Sequence, residues 1–117
     1  MVVLMLIYKI ISKALWQEAE KTGAFLGAPV DLADGFIHFS TGAQVQETAR
    51  RHFRGQDNLL LLSLDDHSLG DALVYEPSRG GDLFPHLYGP LSTAHVTSIV
   101  SLPLLEDGTH KFEGLLP

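Results

Sequence analysis

The chain has 117 residues, 45% of them hydrophobic and 19% charged, which fits one domain over residues 1–117 and excludes intrinsic disorder as the main state. Eight basic against 14 acidic side chains leave a formal charge of −6, a balance that argues against nucleic acid or anionic membrane as a partner but leaves room for a small anionic ligand. No cysteine is present, which excludes disulfides, thiol nucleophiles and cysteine-based zinc sites and agrees with a cytoplasmic location.

The apolar start is too short for a spanning helix and lacks the basic lead of a secretory signal, so neither is expected. Val2, Val3, Ile7 and Tyr8 instead mark a central strand over residues 2–11. Ser12 is placed to cap a helix from Lys13 to Thr22, with Leu15, Trp16 and Ala19 inward and Gly23 at its end. Gly27, Pro29, Asp31, Asp34 and Gly35 read as a long loop, and 36–39 as a short strand. Thr41 and Gln44 form a capping box for an amphipathic helix over 42–53, on which Val45, Ala49, His52 and Phe53 recur near helical spacing before a stop at Gly55.

The apolar run 59–64 has the character of a buried strand, and 72–76 of another, ended by Pro77. A glycine-rich loop over 78–82, a strand over 96–102 and a turn at Asp107 and Gly108 complete the chain. The order is β-α-β-α and then mostly β, which predicts an α+β fold of largely antiparallel sheets with two main helices. No dinucleotide-binding glycine motif and no P-loop occur.

Two segments concentrate polar chemistry. In Asp34-Gly-Phe-Ile-His38-Phe-Ser40-Thr41-Gly42, the period of a strand puts Phe36, His38 and Ser40 on one face and Ile37 and Phe39 on the other. His38 and Ser40 would then look into a cleft beside a helix start, whose free N–H groups favour an anion. The same pattern also fits a locally bonded His38 and a capping Ser40 or Thr41. In Phe84-Pro85-His86-Leu87-Tyr88-Gly89-Pro90, an extended backbone puts His86 and Tyr88 on one face, either as functional groups or as braces of a turn. Glu76 closes a strand, where partial burial would raise its pKa, although a solvated strand end is the plainer reading. Arg50 and Arg54 stand one turn apart on a helix, as a solvated face or as phosphate contacts. Asp65, Asp66 and His67 read as a turn, not a metal site.

These segments, with Ile7-Tyr8-Lys9-Ile10, Trp16, Ala19, Thr48-Ala49, 59–62 and Tyr75-Glu76, resemble the bacterial family known as domain of unknown function nine hundred fifty-two. That family in turn looks like a member of the ADP-ribosyltransferase-like group. The resemblance implies a split α+β sandwich with a nucleotide cleft between two small antiparallel sheets, and NAD as a substrate whose ADP-ribosyl group is transferred or hydrolysed. It implies His38, His86 and Glu76 as catalytic residues, with Phe36, Ser40, Thr41 and Tyr88 as contacts to the nucleotide. Glu76 is the carboxylate available to a ribosyl cation. The arginine-rich set expected for removing an RNA phosphate is not evident. The alternatives are a non-catalytic nucleotide-binding module, a metal-dependent hydrolase using His38, His86 and Glu76, and a partner protein that pairs through its N-terminal strand.

Overall fold

The computed structural model describes residues 5–117. The first strand, β1 (Leu6–Ser12), lies inside the expected range, whose residues 2–4 fall outside the described ones. It pairs along its whole length with β5 (Leu59–Asp65), from Leu6 opposite Asp65 to Ser12 opposite Leu59. On its other side β1 pairs with β4 (Ser40–Thr41), and β5 pairs in turn with β9 (Ser98–Leu102), giving the order β4-β1-β5-β9. Both central strands are apolar on both faces because both faces are covered. Ile7, Ile11, Leu60, Leu62 and Leu64 join one core with Trp16, Phe25, Ile37 and Phe39. Tyr8, Ile10, Leu59 and Leu61 join another with Val45, Ala49, Leu102 and Phe112.

Helix α1 (Lys13–Thr22) forms as the sequence predicts: Ser12 Oγ accepts from the Leu15 amide at 3.2 Å, and Gly23 ends it at φ 86°. Trp16 and Ala19 are buried, but Leu15 is exposed, so the inward stripe is narrower than expected. The region expected to be a long loop holds β2 (Ala24–Phe25) and a helix, α2 (Pro29–Asp34). Pro29 sits in the first turn, where its missing N–H costs nothing, Asp31 binds the Ala28 amide, and Gly35 closes the end at φ 87°.

The strand expected over 36–39 is shorter, and a second strand in a different sheet follows it one residue later. Residues of β3 (Ile37–His38) pair with β7 (Leu83–Leu87), which also pairs with β6 (Leu73–Pro77). Phe39 separates β3 from β4: its side chain is buried and its amide donates to the Pro85 carbonyl at 3.0 Å. Helix α3 (Val45–His52) begins three residues later than predicted. Gln44 Oε1 accepts from the Thr41 amide at 3.0 Å, so only that half of the expected box is made. Val45 and Ala49 are buried while His52 is exposed. Short β8 (Leu91–Ser92) pairs with β2.

Among the described residues the result is a mixed α+β fold of three antiparallel sheets and few helices. Its decisive feature is a divergence. β4 accompanies β1 only at Ile7 and Tyr8, and beyond that point the neighbouring chain has left for the β3-β7-β6 sheet.

Candidate functional site

A cleft of about 860 Å³ occupies that divergence, bounded by Tyr8, Lys9 and Ile10 of β1, His38 to Ser40, His86 of β7 and the second half of α3. Of the residues singled out in the sequence, His38, Ser40 and His86 line it. Phe36, Thr41, Glu76 and Tyr88 are not among its lining residues, although Phe36 and Glu76 contact the histidines and Tyr88 binds Glu76.

His38 is the most constrained of the group. Its Nδ1 lies 2.6 Å from Asp31 Oδ1 and its Nε2 2.9 Å from Asp34 Oδ2. Carboxylate oxygens accept and do not donate, so the ring makes both bonds when both nitrogens carry protons. Asp31 is buried to 1% exposure and also receives the Lys9 ammonium at 3.0 and 3.1 Å and the amides of Ala28 and His38 at 2.8 and 3.1 Å. Burial opposes ionisation of this carboxyl, but the His38 hydrogen bond, the Lys9 charge and the two amides outweigh it and bring its pKa from 3.8 to about 2. Lys9, buried in its turn, has its pKa lowered by desolvation against the pull of Asp31, and its ammonium also donates to the His38 carbonyl at 2.9 Å. That last bond spans the gap where β1 has lost its neighbour.

His86 is built differently. It is 4% exposed, register partner of His38, and its Nδ1 lies 2.8 Å from Glu76 Oε1. The Tyr88 hydroxyl donates to the same oxygen at 2.7 Å. These two bonds, Tyr88 first, hold the Glu76 carboxyl below its ordinary range, which corrects the expectation of a raised value. Glu76 therefore orients an imidazole rather than lining the cleft. With Nδ1 engaged by that carboxylate, the remaining position, Nε2, is the one available to a ligand. Phe36 stacks on His86 at 4.0 Å between centroids and lies 4.7 Å from the His38 ring and 5.3 Å from Tyr88, so it wedges the cluster from behind.

Ser40 continues the polar wall. Its Oγ lies 2.9 Å from Thr48 Oγ1, which donates to the Gln44 carbonyl at 3.2 Å. A hydroxyl has one proton, so Ser40 is the donor of its pair and presents acceptor lone pairs to the cleft. Arg50 pairs with Glu47 on the surface, while Arg51, unremarked in the sequence, lines the cleft with His52.

Lys9, Asp31 and Arg51 are the cleft and supporting residues that sequence reasoning passes over. Lys9 left a signal: a single cation in a strand with Ile7, Tyr8, Ile10 and Ile11 demands a buried counter-charge. As for a metal, the histidines 38 and 86 with Glu76 do not form a ligand set: both His38 nitrogens face carboxylates and His86 Nδ1 faces Glu76. Among the described residues no group of three His, Asp or Glu side chains is arranged to hold a metal ion. No helix among them is long and apolar enough to cross a membrane.

Fold and site together define an α+β protein of antiparallel sheets with a histidine-lined cleft at their divergence. The chain belongs to the family described as Protein of unknown function (DUF952), whose model matches residues 10–99 and so takes in every cleft residue but Tyr8 and Lys9. It is similar to protein CC0527 from Caulobacter crescentus, whose X-ray structure is 53% identical over 92% of this chain and 95% of that one, with a TM-score of 0.90. The solution NMR structure of CC0527 agrees, at 52% identity over 95% of this chain and 96% of that one and a TM-score of 0.85. No curated protein matches the chain.

Proposed function

We propose that the cleft binds a small nucleotide-like molecule and that the chain acts on it by breaking a ribosyl C–N bond, with NAD as the substrate and transfer or hydrolysis of its ADP-ribosyl group as the outcome. The observation that carries this reading is the pair of imidazoles with different partners on one wall, His38 between two carboxylates and His86 backed by one. Apolar surface from Tyr8, Phe39 and Phe84 faces the same space and suits a planar base or a nicotinamide ring. The resemblance to ADP-ribosyltransferase-like proteins supports the same substrate class.

In this chemistry the C1′–N bond breaks with its electron pair going to nicotinamide, which leaves neutral, and positive charge develops on the ribosyl carbon. Asp34, the carboxylate on the cleft wall, faces that charge. Water or an acceptor hydroxyl attacks C1′ and gives its proton to His86 Nε2, with Glu76 fixing the ring from the far side. One preorganised electrostatic contact of this kind lowers the barrier by ~3 kcal/mol, about a hundredfold in rate.

A second reading, binding without turnover, is favoured by one fact: Asp34 and Glu76 already accept hydrogen bonds from the two histidines. Incubation with NAD and assay of released nicotinamide separates the two. The expected result is release by the wild type, abolished in His38→Ala and in His86→Ala proteins that still fold. Shifts of His38 and His86 signals on NAD addition without any release would leave the binding reading alone. No shift at millimolar NAD would remove both.

A further inference from the structure

The cleft has a second polar end that the chemistry above does not use. The last turn of α3 puts Arg51 and His52 on its wall. Basic residues at a helix C-terminus are favoured by the helix dipole, which accounts for their position in the sequence but not for their bordering the mouth of the cleft. The local charge also runs against the chain as a whole. The protein carries −6, yet Asp34 is the only carboxylate among the lining residues, and the Lys9 charge is already matched by Asp31. Arg51 meets Glu47 through Nε at 3.4 Å, and Arg50 draws on the same carboxylate oxygen. One negative charge is thus shared by two guanidinium groups, which leaves this turn with an excess of positive charge.

The chain itself sets the order of groups along the cleft. His38 and Ser40 are two residues apart in extended backbone, Ser40 Oγ touches Thr48 Oγ1 at 2.9 Å, and Arg51 follows Thr48 by about one helical turn. The guanidinium therefore stands at the α3 end of the cleft wall, beyond Ser40 and Thr48 from His38. Between them Ser40 offers an acceptor to a ligand hydroxyl or amide. A molecule matching this sequence has a ring or sugar at the histidines, a donor group in the middle and an anion at the far end.

We propose that Arg51 and His52 form an anion subsite that takes the phosphate groups of the ligand. The inference rests on the nucleotide reading above and names the part of the nucleotide that this end of the cleft selects. A guanidinium meeting a phosphate makes charge-assisted, often paired hydrogen bonds, and Arg51 sits at the mouth of the cleft where a charged group keeps part of its hydration.

Titrations of the full chain with ADP-ribose and with adenosine, followed by NMR, test the subsite. In the wild type, ADP-ribose shifts the amides of Arg51 and His52, and Arg51→Gln weakens it about tenfold. Arg51→Lys, which keeps the charge, retains most of the affinity, and adenosine binds all three proteins alike. Thermal melts of the variants establish that each is folded. Equal ADP-ribose affinity in wild type and Arg51→Gln would overturn the subsite. Nicotinamide release is scored separately, so the two claims fail separately. Release that ignores Arg51→Gln keeps the chemistry and removes the subsite. Arg51-dependent binding with no release keeps the subsite and removes the chemistry. ADP-ribose that does not bind the wild type removes the subsite, and the chemistry falls with it when no nicotinamide is released.

Discussion

His38 and His86 stand opposite each other in the β3–β7 register with ring centroids 5.6 Å apart, yet each has its Nδ1 held by a different carboxylate. Asp31 is buried and ion-paired, whereas Glu76 is partly open to solvent. Two chemically identical side chains are thereby made unequal: one is braced at both nitrogens, the other at one.

Asp31 makes the site dependent on acid stability. Its carboxyl pKa is depressed from 3.8 to about 2 in the folded protein, so on acidification the unfolded chain takes up this proton first. The stabilisation from Asp31 is complete above the ordinary carboxylate pKa and is lost as pH falls toward 2, a loss of about 2 kcal/mol from this one group. Urea unfolding at a series of pH values between 5 and 2, as an order-of-magnitude range around these pKa values, measures it. Asp31→Asn should lose less stability than the wild type across that window; parallel curves would assign the acid sensitivity elsewhere. At neutral pH the same substitution leaves the Lys9 ammonium buried without its counter-charge and should cost about 3–5 kcal/mol.

Tyr88 should control the titration of Glu76. Its hydroxyl is the foremost of the bonds that lower the Glu76 pKa, ahead of His86. In Tyr88→Phe the Glu76 titration midpoint moves up toward the ordinary carboxylate value, read by carbon-13 NMR of the side-chain carboxyl. A midpoint that stays where it is would mean that His86 alone holds the charge. Because the carboxyl is close to solvent, the shift is expected without a measurable change in global stability.

Gly35 fixes where α2 ends and therefore where Asp34 stands. Its φ of 87° lies in the left-handed region, and a Cβ there would meet no atom within 4 Å, so the strain of a substitution is purely conformational. Gly35→Ala should cost about 1 kcal/mol in denaturant unfolding, and Gly35→Asn less, because Asn tolerates this region. An alanine variant as stable as the wild type would show that the helix end can readjust.

The parts of the fold that rest on local chemistry were legible in the sequence. Ser12 and Gly23 bracket α1 as read, and the apolar run at 59–64 is a buried strand. The parts that rest on contacts between distant segments were not. Six residues are too few for helical periodicity, so Pro29 to Asp34 reads as a loop, and the Asp31 pairing with Lys9 that ties this helix to β1 leaves no local trace. The alternation from Phe36 to Ser40 put His38 and Ser40 together correctly, but it gave no sign that the chain changes sheets between them. His86 and Tyr88 were seen to share a face; that both reach Glu76 depends on the β6–β7 register, which no local pattern encodes.

The passage from β3 to β4 through Phe39 also bears on how the hollow behaves. The β3 and β4 parts of its lining, His38 and Ser40, are joined by this single residue, which is anchored to Pro85 and sunk in the core. That tie fixes His38 and Ser40 relative to each other at the floor of the slot. A molecule that reaches both side chains must match a spacing set by the covalent chain and not by the adjustment of separate elements.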